Sequence, residues 1–172
     1  MTAAEPALEA AVAWFEASWD VEVFGTPAEQ RVQLAAHMTR RMATLSWPGG
    51  WSREVELREL VADPGGRSVR VRVFLPRDAA GPLPVLVYMF GGGWWLRNDR
   101  APDVFQLCTR MAVDGRVAVV QVDYALAPER PFPHGLDDVD AVLRWVRDGA
   151  SGLPVDRSLI AIGGASAGAN LA

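Results

Sequence analysis

The apolar residues at the start of the chain follow a helical period, with Leu8, Ala11, Trp14, Phe15 and Ser18 at the spacing of one helix face. Thr26-Pro27-Ala28-Glu29 announces a second helix, because it joins a capping box to a proline at the first helical position. That helix runs through Leu34, Ala35, Met38 and Met42 and is broken by Trp47-Pro48-Gly49-Gly50. From Val55 the period becomes two. Val55, Leu57 and Val61 precede the turn Asp63-Pro64-Gly65-Gly66, and Val69, Val71, Val73 and Leu75 alternate with arginines after it, which predicts a hairpin with one wet face.

After Pro84 the pattern changes again. Val85 to Phe90 and Val117 to Val122 are almost continuously apolar, as strands covered on both faces are, and Leu159 to Ile162 reads as a third buried strand. Between them lie a helix carrying Val104, Phe105, Leu107, Cys108 and Met111 and another carrying Leu136, Val139, Val142, Trp145 and Val146. Strands alternating with helices predict an α/β fold of about five strands, mostly parallel, with an antiparallel hairpin at its start.

Composition narrows the chemistry. The 172 residues are 50% hydrophobic, which suffices for a real core, and the formal net charge of −4 offers no basic field for nucleic acid. Every basic residue other than the two histidines is arginine, so no Schiff-base lysine, phosphate-loop lysine or Ser/Lys dyad is available. The single cysteine, Cys108, excludes an internal disulfide and a thiolate metal cluster, and it reads as a small buried hydrophobe. No cofactor or metal is expected. The N-terminus lacks the basic and apolar regions of a secretory signal, and the uncharged stretch from Ala79 to Leu96 is broken by prolines and glycines, so a cytoplasmic chain without a membrane span is expected.

Gly164-Ala165-Ser166-Ala167-Gly168 matches G-x-S-x-G and directly follows an apolar strand. In that context the serine sits on a sharp strand-to-helix corner that tolerates only small neighbours, and Gly163 to Ala169 contains nothing larger than serine. The competing readings are an ordinary glycine-rich turn and a dinucleotide fingerprint; the second requires G-x-G-x-x-G, which glycines at 163, 164 and 168 do not form. Phe90-Gly91-Gly92-Gly93-Trp94-Trp95 closes the first buried strand, where three glycines let N–H groups converge on a developing oxyanion or simply make a flexible loop.

The order of Gly91-Gly92-Gly93-Trp94, then Asp123-Tyr124-Ala125-Leu126-Ala127-Pro128-Glu129 with Pro131-Phe132-Pro133, then Gly164-Ala165-Ser166-Ala167-Gly168 resembles the hormone-sensitive-lipase-like, family IV bacterial esterases of the α/β-hydrolase superfamily. The resemblance implies Ser166 as nucleophile, with the N–H groups of Gly92, Gly93 and Ala167 as the oxyanion hole and Trp94 and Trp95 against the substrate. Trp14, Phe15, Trp19 and Phe24 are further candidates for an acyl pocket, ordinary core packing being the alternative for each. It also implies residues 1–45 as a helical cap segment and 46–172 as a hydrolase core ending just after the corner. Asp123 and Glu129 match a structural loop and receive no proton-transfer role.

Three positions depart from the family. Phe90 replaces the histidine that braces the glycine loop, Ala125 replaces an arginine and Ala165 an aspartate; the first two lead us to expect a less rigid oxyanion loop. In this fold the catalytic acid and base follow the serine, which leaves both beyond Ala172 and His37 and His134 as the chain's histidines. The expectation is an N-terminal half of a serine esterase for small to medium acyl esters, nearly inactive alone, with an open sheet edge needing the other half or another chain. The alternative is a non-catalytic module of the same fold that holds an apolar ligand.

Overall fold

The computed structural model describes residues 9, 13, 21–42, 53–149 and 152–172. The expected first helix and the break at Trp47 to Gly50 lie outside the described residues, apart from Glu9 and Ala13, which are helical. The chain divides into two compact units, Met1–Ser46 and Trp47–Ala172.

In the first unit, helix α1 spans Pro27–Met42. Its start is the capping box read from the sequence: the Thr26 N–H donates to Glu29 Oε2 at 2.7 Å, and the Glu29 N–H donates to Thr26 Oγ1 at 3.4 Å. The Thr26 N–H and the Thr26 hydroxyl, which donates to the same Glu29 Oε2 at 2.8 Å, hold the Glu29 carboxyl below its usual range.

The second unit is built on five strands: β1 (Val55–Ala62), β2 (Val69–Pro76), β3 (Leu83–Met89), β4 (Ala118–Val122) and β5 (Val155–Gly164). They form one sheet in the order β1-β2-β4-β3-β5. β1 and β2 make the expected antiparallel hairpin, β2 pairs antiparallel with β4, and β3 runs parallel to both β4 and β5. Helices α2 (Pro102–Gly115) and α3 (His134–Arg147) connect the parallel strands, and the short helix α4 (Ala167–Leu171) follows β5. The core centres on β3 and β4, where Val87, Met89, Val119, Val120 and Val122 are fully buried. Each such side chain contributes about 1.5–3 kcal/mol of burial energy.

One expectation about burial changes. Leu57 and Val61 are exposed, because β1 is an edge strand and nothing among the described residues covers that side. The apolar run read as a strand at Leu159 to Ile162 is longer, and it is the opposite edge, in keeping with the open sheet edge expected from the resemblance, with Leu159 55% and Ile162 39% exposed. An unbroken apolar run records what a strand is suited to lie against, not what lies there. No helix among the described residues is long and apolar enough to cross a membrane.

Candidate active site

Ser166 occupies the corner between β5 and α4 with φ 50° and ψ −119°, a backbone conformation that L-residues rarely adopt. The glycines on either side explain how the chain turns there. A Cβ on Gly164 would lie 2.5 Å from the Gly168 carbonyl oxygen and 2.7 Å from that of Met89, and one on Gly168 would lie 2.6 Å from the Phe90 carbonyl oxygen. Only hydrogen fits in either place. The corner is fastened to the end of β3 by the Ala165 N–H, which donates to the Met89 carbonyl at 3.1 Å.

That same strand end releases the glycine loop, so the two sequence motifs are neighbours in space. A Cβ on Gly91 would stand 3.3 Å from the Ser166 Cβ. Gly92 and Gly93 have φ of 140° and 60°, and the Gly92 carbonyl accepts the N–H groups of Trp95 at 3.2 Å and Leu96 at 2.8 Å. Trp94 also has positive φ, at 63°. Ser166 is exposed, whereas Ala167 is buried and opens α4, in the turn whose N–H groups lack intrahelical acceptors.

The loop is anchored by contacts that motif reading misses. Phe90 is fully buried and stacks on Tyr124 with ring centroids 4.5 Å apart, while the Tyr124 hydroxyl donates to the Phe90 carbonyl at 2.8 Å. Burial pushes the Tyr124 hydroxyl pKa well above the ordinary tyrosine value, so it remains a donor at neutral pH. Further along, the Ala127 N–H donates to the Trp94 carbonyl at 2.9 Å. Arg97 pairs with Asp123, which also takes Arg70 at 2.8 Å. Phe90 thus does not leave the base of the loop unsupported, because an aromatic stack and a main-chain hydrogen bond hold it.

The segment after β4 has its own buried anchor. Asp138 on α3 accepts the Ala125 N–H at 2.9 Å and pairs with Arg67 at 2.6 Å. Its sequence signal is a carboxylate in line with Val142 and Trp145, on the stripe that α3 buries.

Of the other expected site residues, Trp94 lines a cavity, whereas the Trp95 ring edge lies 3.5 Å from where a Gly93 Cβ would stand. Trp14, Phe15 and Trp19 lie outside the described residues, and Phe24 is exposed in the first unit. His37 lies on α1, and His134 opens α3 with a buried Nδ1 that has no hydrogen-bond partner. Cys108 is buried, which pushes its thiol up to about 12 and makes it a poor nucleophile. Among the described residues no group of three or more His, Cys, Asp or Glu could hold a metal ion. An exposed hydroxyl on a fixed corner, beside a glycine turn and a helix start, suits attack on a carbonyl and stabilisation of the resulting charge.

Known proteins resemble this chain in sequence and in fold. Residues 86–172 match the family of the alpha/beta hydrolase fold. The carboxylesterase NlhH of Mycobacterium tuberculosis is 41% identical over 132 residues, covering 76% of this chain and 41% of that protein. The chloroplastic tuliposide A-converting enzyme 2 of Tulipa gesneriana is 36% identical over 129 residues, covering 69% of this chain and 34% of that one. Among solved structures, the thermostable carboxylesterase EstE1, cloned from a metagenomic library, superposes with a TM-score of 0.71 at 38% identity, covering 86% of this chain and 48% of that one. The chain therefore spans less than half the length of each of these three relatives. With this family match over half of its length, the chain belongs to the alpha/beta hydrolase fold family, in its hormone-sensitive-lipase-like group.

Proposed function

We propose that this chain carries the nucleophile and the oxyanion-binding loop of a serine carboxylic-ester hydrolase acting on small to medium acyl esters. Ser166 attacks the ester carbonyl to form an acyl-enzyme, and the N–H groups of Gly92, Gly93 and Ala167 take the negative charge on the tetrahedral oxygen. Trp94 and Trp95 flank the substrate. The assignment of residues 1–45 to a cap segment belongs to the same reading.

The observation that carries the proposal is the positive-φ corner at Ser166, held within van der Waals reach of Gly91. Such a conformation costs about 1–3 kcal/mol and persists where the surroundings impose it, which in this fold aims the hydroxyl into the site. The carboxylesterases among its relatives supply the reaction class.

Since the acid and base follow the serine in this fold, the 172-residue polypeptide by itself is proposed to be nearly inactive. Loss of the base from a serine triad lowers turnover by about 10⁶ and leaves roughly 10³–10⁴ over water. The same reading has the outer edge of β5 pair with further chain or another molecule. The test is a chimera in which residues 1–172 are followed by the remaining part of the Mycobacterium tuberculosis carboxylesterase. It should hydrolyse p-nitrophenyl acetate, lose that activity with Ser166→Ala, and far outpace residues 1–172 alone. A folded chimera whose rate is indifferent to Ser166→Ala would end the proposal.

A further inference from the structure

Beyond the corner and the glycine loop, a cavity of about 430 Å³ opens between the segment after β4, the start of α3 and helix α4. Two of its walls come from segments that flank the candidate site. Trp94 follows Gly93 directly, and Asn170 lies one turn past the nucleophile, its N–H donating to the Ser166 carbonyl at 3.1 Å. The remaining walls are mainly apolar, with Phe132, Leu136 and Leu171 facing Ala125 and Ala127.

Three large apolar side chains are left in water around this one hollow: Trp94 is 48%, Phe132 85% and Leu136 44% exposed. Leu136 departs from the buried stripe of α3 to line it. Arg130 is the cavity's charged residue, and its guanidinium reaches Asp138 at 3.5 Å, a carboxylate already paired with Arg67. Apolar walls with a few polar groups, on segments that flank the proposed nucleophile and the glycine loop, describe a small-molecule site, and the volume lies within the usual range of about 300–1,000 Å³.

We infer that this cavity seats the apolar arm of the ester, an alkyl or aryl group of about six carbons, and that Phe132 and Leu136 set its length. The inference rests on the proposed esterase reading for the identity of the ligand, but the cavity and its lining stand without it. Each methylene removed from water there should tighten binding about fourfold.

Uncharged amides test this on the 172-residue chain without requiring turnover. N-Methylheptanamide places six carbons on the acyl side of the carbonyl, N-hexylacetamide places them on the other side, and N-methylacetamide carries neither arm. At least one six-carbon amide should change the tryptophan fluorescence, saturate at least tenfold below any response to N-methylacetamide, and lose its signal in Trp94→Phe. The tighter of the two names the side of the ester that enters. Leu136→Glu should weaken that binding at least tenfold; if this variant does not fold, Phe132→Ser, at a still more exposed position, takes its place. Ser166→Ala should bind as the parent does, so a failure of hydrolysis and a failure of the cavity give different results. Equal response to all three amides, or unchanged affinity in the folded Leu136→Glu or Phe132→Ser variant, overturns the inference.

Discussion

Ser166 and Gly168 stand two residues apart and should respond to substitution in opposite directions. At Ser166 the side chain is carried on a backbone with φ of 50°, so Ser166→Gly relieves strain of about 1–3 kcal/mol against a glycine entropy cost of roughly 0.5–1 kcal/mol. The variant should unfold at a higher denaturant concentration than the parent, by about 1 kcal/mol, while losing the proposed nucleophile. At Gly168 there is no room for a methyl group, because a Cβ would press on the Met89 and Phe90 carbonyls. Gly168→Ala should therefore destabilise by about 1–3 kcal/mol or more. A destabilising Ser166→Gly would show that the corner stores no strain.

Among the elements, the end of β3 matters most, since it holds the corner on one side and releases the glycine loop on the other. Tyr124 braces it from beyond β4 through a ring stack and a hydroxyl bond to the Phe90 carbonyl. Tyr124→Phe keeps the stack and removes the bond, which should cost about 1 kcal/mol. The bond also has a pH signature. Burial raises the hydroxyl pKa, so its contribution is complete below the ordinary tyrosine range and is lost as the pH rises beyond it. Above about pH 10 the parent should lose stability more steeply than Tyr124→Phe. Part of the slope should remain, since the Tyr88 hydroxyl is likewise pushed up to about 12 by burial. Parallel urea midpoints against pH for the two proteins would refute this bracing role.

The same elements show what the sequence could and could not reveal. The corner, the glycine loop, the hairpin and the capping box of α1 were legible because each follows from local backbone demands within a few residues. The contacts joining them were not. Phe90 and Tyr124 are 34 positions apart, and Arg67 and Asp138 are 71 apart, so their pairing depends on how β3, β4 and α3 come together. Phe90 illustrates the gap: read by motif it signals a missing brace, yet its ring and carbonyl supply one. The exposure of β5 was legible through the resemblance alone, since an apolar run carries no record of whether a neighbour is present.

For the whole molecule, the outer edge of β5 decides solution behaviour. Its partner on one side is β3, and the other side presents backbone groups together with exposed Leu159 and Ile162. An apolar edge of this kind is a template for pairing with another strand. The 172-residue chain should therefore self-associate at micromolar concentration, and Leu159→Lys should shift its sedimentation toward monomer without loss of secondary structure. Sedimentation of the parent as a single monomeric species would remove the need for a partner at this edge.

Covalent capture of the nucleophile tests the central claim most directly. The chimera described above should be treated with a fluorophosphonate, its mass measured intact, and the modified peptide located. One adduct per chain, on Ser166 and absent from Ser166→Ala, is the predicted result. An unmodified but folded chimera, or an adduct on another residue that survives Ser166→Ala, would contradict the assignment of Ser166 as the nucleophile.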